Sequence, residues 1–137
     1  MTHPLSRPLR VGAAIAALAT IGLAPAAHAF TLSSPDFAEG STLPPRFEFK
    51  GFGCAGDNQS PALRWSGAPA GTQSFAVTAY DPDAPTGSGW WHWSVVNIPA
   101  STTELRPDAG AAGGAKLPAG ANHVRIDYGV AAWGGTC

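Results

Sequence analysis

Apolar and polar positions alternate with a two-residue period in the clearest stretches of the chain, and no helical period interrupts them. Residues 74–80 set Phe75, Val77 and Ala79 against Ala76, Thr78 and Tyr80, and residues 91–97 repeat the alternation with aromatic and β-branched side chains. Such alternation predicts two strands. Weaker strands are predicted at 30–33, 47–50, 62–65 and 122–128. The third of these carries Leu63 and Trp65 into the core as alternate residues, and the fourth places Val124, Ile126 and Tyr128 on one face. Turn chemistry separates the strands: Leu43-Pro44-Pro45, Gly51-Phe52-Gly53, Ser60-Pro61, Pro69-Ala70-Gly71, residues 81–89 and Gly113-Gly114. Many short strands joined by Gly- and Pro-rich turns predict an all-β sandwich rather than a βαβ architecture.

Residues 1–29 follow a different pattern. Arg7 and Arg10 precede an uncharged run of small and apolar residues over 11–23, which Ala27-His28-Ala29 closes with an A-x-A signature. This reads as a secretory signal peptide cleaved after Ala29. This run of 13 residues falls short of the roughly 20 that span a bilayer core. The remaining 30–137 is then one exported domain, periplasmic or secreted. Without a cysteine near the cleavage point or a later apolar segment, no stable membrane anchor is expected.

Charge narrows the partners. Only 12% of the chain is charged, and residues 30–137 carry six basic groups against nine acidic ones, a net −3. No basic patch exists to draw in nucleic acid or an anionic membrane, so a partner must be recognised locally. Export also changes the reading of the two cysteines, because thiols outside the cytosol tend to be oxidised. Cys54 and Cys137 are either a disulfide closing 83 residues or two unpaired thiols.

The densest grouping of reactive side chains is Tyr80-Asp81-Pro82-Asp83-Ala84-Pro85-Thr86-Gly87-Ser88-Gly89-Trp90-Trp91-His92-Trp93. A predicted strand ends, a proline-fixed loop carries two carboxylates, and a returning strand brings a histidine among three tryptophans. A strict two-residue period places His92 with Trp90, Ser94 and Val96, opposite Trp91 and Trp93. If the strands pair, Asp81 and His92 meet at one sheet end, where a carboxylate fixes the imidazole tautomer and favours a cation able to hold phosphate or carboxylate. The same residues also read as an ordinary turn beside a core histidine, since Asp side chains bond their own backbone. Asp81, Asp83 and His92 could also offer metal ligands, though their spacing matches no standard zinc or calcium motif. In Gly53–Trp65 a structural reading prevails, with Asp57 and Asn58 closing a turn through their side chains. Ser88 sits in Gly87-Ser88-Gly89 and lacks the G-x-S-x-G elbow of a nucleophilic serine.

Taken together, Asp57-Asn58-Gln59-Ser60-Pro61-Ala62-Leu63-Arg64-Trp65, the segment from Ala79 to Trp93, and Val95-Val96-Asn97-Ile98-Pro99 resemble the phosphatidylethanolamine-binding protein family, in its bacterial Raf kinase inhibitor-like (YbhB/YbcL) branch. The resemblance runs over 30–137. It implies an antiparallel β-sandwich with a small anion pocket at one end of the main sheet, lined by Asp81, Pro85 and His92 with Asp83 and Trp91 adjacent. It also implies a Cys54–Cys137 disulfide. Its pattern continues past Gly134-Gly135-Thr136-Cys137 into a Pro-Pro-x-Gly segment and a Gly…His-Arg-Tyr strand. On that basis the chain is expected to be a fragment with half of the pocket. The function so implied is a non-enzymatic, cofactor-free module for a small anionic or phosphate-bearing ligand of the phospholipid-headgroup type, or for a protein loop docked in the same cleft. The alternatives are a metal-dependent hydrolase on Asp81, Asp83 and His92, and a protease or kinase inhibitor using that cleft.

Overall fold

The computed structural model describes residues 29–137, and the signal peptide assigned to 1–29 lies, apart from Ala29, outside the described residues. Eight strands appear in chain order: β1 (Thr31–Ser33), β2 (Lys50–Gly51), β3 (Cys54–Ala55), β4 (Leu63–Ser66), β5 (Ser74–Asp81), β6 (Trp90–Pro99), β7 (Glu104–Leu105) and β8 (Asn122–His123). All pairings are antiparallel, forming the sheets β1-β4-β7 and β5-β6-β8 and the small hairpin β2-β3. Among the described residues there is no α-helix, only a 3₁₀ turn over Pro45–Phe47.

The two three-stranded sheets face each other across one core. Trp65 and Leu105 meet Trp93, Val95 and Ile98 there, with Phe47, Ala109 and Trp133 from irregular segments. Trp65 contacts Phe75 edge-on at 5.5 Å and Trp93 meets Trp133 edge-on at 5.6 Å, an arrangement favoured by the ring quadrupoles. The all-β sandwich and the core role of Leu63 and Trp65 follow from their alternation, as the sequence predicts.

Two β-bulges break the period of β6. Phe75 pairs with Ile98 and Val77 with Val95, so Ala76 faces both Val96 and Asn97, and Asn97 takes a left-handed backbone (φ 57°). Further along, Ala79 pairs with Trp93 and Tyr80 with Trp91, so His92 is the extra residue. Of the strict alternation expected there, Trp91 does lie opposite His92, but Trp93 is corrected, since the bulge puts it on the same side as His92. The bulge sends Trp91 outward onto Tyr80, at 4.5 Å between ring centroids, and leaves both His92 and Trp93 buried.

Two weak strand predictions are also revised. Over 47–50, Pro44-Pro45 preorganises a 3₁₀ turn, with Phe47 N–H donating to Pro44 O, and only Lys50 enters a strand. The strand predicted at 122–128 ends at His123. A turn closed by Gly129 N–H on Ile126 O (2.8 Å) buries Ile126 while Val124 stays exposed, so Val124, Ile126 and Tyr128 share no face.

Candidate functional site

A cavity of about 690 Å³ opens between the two sheets. Phe75, Val77 and Ala79 stay half-buried because this space lies over them. Its walls are mostly apolar, and at one end it is bordered by Asp81, His92, Trp93, Trp133 and Thr136. Asp81 is the last residue of β5 and His92 the bulged residue of β6, so the sheet end that joins them is the one the sequence points to. Asp83, Pro85 and Trp91 lie outside the cavity lining. Asp83 and Pro85 are exposed in the loop 82–89, and Trp91 faces the other side of the sheet.

Asp81 also makes the turn that the sequence allows, its Oδ1 accepting Asp83 N–H at 2.9 Å. The loop is further closed by Tyr80 Oη donating to Ser88 O and Thr86 Oγ1 donating to Gly89 O. Asp81, Asp83 and His92 do not assemble as a ligand set. Among the described residues no three His, Cys, Asp or Glu side chains group closely enough to hold a metal ion.

His92 is only 4% exposed. Its Nδ1 donates to Gly134 O at 2.7 Å and lies 3.1 Å from Gly135 O, while its backbone carbonyl accepts Gly134 N–H at 2.9 Å. A carbonyl can only accept, so Nδ1 carries hydrogen and the remaining nitrogen, Nε2, is buried without a partner. A buried polar atom left unsatisfied costs about 1–3 kcal/mol, so a hydrogen-bonding group that reached Nε2 would offset that cost. Trp65 Nε1, also buried, is an unpartnered donor on another residue that lines the cavity.

The segment that holds His92, residues 133–137, carries no strand pattern that would mark it as part of the pocket. It forms a strap across the bulge. Trp133 N–H bonds Gly110 O, Trp133 Nε1 bonds Phe47 O, and Thr136 O accepts Phe49 N–H. Tyr128 Oη donates to Gly135 O at 2.9 Å, and burial pushes the phenol pKa up, so it remains a donor. Cys137 ends the strap in a disulfide with Cys54, the Cα atoms 5.7 Å apart. Asn58, expected to close a local turn, reaches instead to the strap: Oδ1 accepts Gly135 N–H at 2.8 Å and Nδ2 donates to Trp133 O. Spacing gives no signal for this contact because it joins residues 77 positions apart.

A family model described as phosphatidylethanolamine-binding protein matches residues 33–137. The chain is 57% identical to UPF0098 protein YbcL of Escherichia coli K12 over 120 residues, covering 88% of this chain and 66% of that protein. Against UPF0098 protein YbhB of the same organism it is 52% identical over 104 residues, covering 76% and 65%. The crystal structure of E. coli YbcL, described as a member of the mammalian PEBP family, superposes with a TM-score of 0.77 at 58% identity, covering 79% of this chain and 66% of that one. A phosphatidylethanolamine-binding protein homolog from Chlamydia trachomatis gives 0.65 at 26% identity, covering 80% and 65%. The chain thus spans just under two thirds of the length of these relatives.

Proposed function

The chain belongs to the phosphatidylethanolamine-binding protein family, and on that premise we propose that it is a non-enzymatic binding module that holds a small phosphate-bearing group beside Asp81 and His92. One observation carries the reading: His92 is buried at the cavity end with Nδ1 committed to backbone carbonyls and Nε2 left over. Protonated, Nε2 donates to a phosphate oxygen; neutral, it accepts from a phosphate hydroxyl. Asp81 repels a bare anion unless a proton is shared, so a zwitterionic headgroup, with an ammonium for Asp81 and a phosphate for His92, suits the pair better than free phosphate. Export to the periplasm or the exterior through residues 1–29 belongs to the same proposal.

The test is calorimetric titration with inorganic phosphate and with phosphoethanolamine. His92→Ala is expected to abolish binding of both while leaving the melting temperature within a few degrees, and unchanged binding would remove His92 from the site. Asp81→Asn, which keeps an acceptor for Asp83 N–H, is expected to strengthen phosphate and weaken phosphoethanolamine. Turnover of a phosphate ester that requires a divalent ion would instead favour the hydrolase.

A further inference from the structure

Asn58 lies between β3 and β4, on a segment remote in sequence from Asp81 and His92, with a left-handed backbone (φ 54°) that Asn tolerates better than most residues. Its amide meets two opposite needs of the strap, accepting from Gly135 N–H at 2.8 Å and donating to Trp133 O at 3.3 Å. Between those anchors sits Gly134, whose carbonyl receives His92 Nδ1–H. The two strap glycines have no side chains to seat them. A Cβ at Gly135 would collide with Phe47 O, and one at Gly134 with the Tyr128 ring. Gly134 and Gly135 are therefore placed by hydrogen bonds to their backbone, and at Gly135 these come from Tyr128 at the carbonyl and from Asn58 at the amide. A free neutral imidazole shares its hydrogen between both nitrogens, whereas carbonyls held at Nδ1 select one tautomer.

We propose that Asn58 is a positioning residue for His92: its Oδ1 bond to Gly135 keeps the strap carbonyls on Nδ1, fixing hydrogen there and leaving Nε2 as the nitrogen free to act. The relevance to a ligand rests on the anion-site reading, but the tautomer itself does not. Partners behind a metal-ligating histidine act in this way, and their loss typically weakens metal binding by roughly 10- to 100-fold.

Imidazole ¹⁵N shifts of the disulfide-bonded chain read the tautomer directly. Wild-type neutral His92 is expected to carry hydrogen on Nδ1 and none on Nε2. Asn58→Gly keeps the left-handed backbone but removes the amide; it is expected to mix the two tautomers and to weaken inorganic phosphate binding roughly tenfold or more. Asn58→Asp keeps the acceptor for Gly135 N–H and is expected to retain the wild-type pattern. A folded Asn58→Gly protein with wild-type shifts would overturn the proposal, as would hydrogen on Nε2 of the neutral wild type. Should Asn58→Gly fail to fold, Asn58→Asp decides: the wild-type pattern supports the positioning bond, and mixed tautomers refute it. Wild-type chain that ignores phosphate yet shows the expected tautomers would remove the anion reading and leave the positioning role standing.

Discussion

Trp65 joins the inter-sheet core at 5% exposure, yet its indole N–H has no partner. Trp65→Ala is expected to cost about 3 kcal/mol, near the low end for a buried aromatic, because the lost packing is partly offset by removal of that orphan donor. An unchanged urea midpoint would show that the indole contributes nothing to the core. His123 bears on pH. Burial holds its pKa below the ordinary 6.5, while the carbonyls of Ala111 and Ala109 oppose the shift without closing a hydrogen bond on Nε2. Its Nδ1 accepts Trp93 Nε1–H at 3.2 Å, which requires the neutral ring. Because the folded pKa is depressed, this contribution to stability is present above pH 6.5 and lost as the pH falls through the folded value. Melting temperatures from pH 7.5 to 5.5 should therefore fall more steeply in the wild type than in His123→Gln, and parallel profiles would sink the assignment. Alternation flags Trp65 as a core position, whereas His123 falls on the polar side of its stretch, and which atom is left unpartnered depends on neighbours far away in sequence.

The bulges matter most among the elements, because they decide what β6 presents. At the first, Asn97 in a left-handed conformation lets Ala76 face two residues. A β-branched residue there meets the steric cost of that conformation, so Asn97→Val is expected to destabilise by about 1–2 kcal/mol while Asn97→Gly is nearly neutral. Equal melting temperatures for the two variants would show that the backbone relaxes. At the second bulge, His92 is the residue without a direct partner, which is why it can turn inward with Trp93 while Trp91 turns out. β5 and β6 were legible in the sequence as long alternating runs, but their bulges were not. An extra residue leaves the composition of a strand unchanged and shows only in its register against the neighbour.

For the whole molecule, the disulfide ties the strap to the β2-β3 hairpin across 83 residues. In the chain-entropy model a loop of that length contributes roughly 4.5 kcal/mol, so Cys54→Ser with Cys137→Ser is expected to lower stability by about that amount in urea denaturation. A loss confined to the 133–137 amides in hydrogen exchange, with the global midpoint unchanged, would show that the bond secures only the strap. The amino-acid sequence by itself determined the all-β class, the two main strands, the core places of Leu63 and Trp65, the family, and the neighbourhood of Asp81 and His92. These are local signals, carried by period, turn residues and a contiguous motif. Tertiary structure alone decided that Trp93 turns inward beside His92, that residues 133–137 cross the bulge, and that Asn58 serves the strap rather than its own turn. Each depends on a hydrogen bond or register between segments distant in the chain, and such contacts exist only once the sheets have paired and packed.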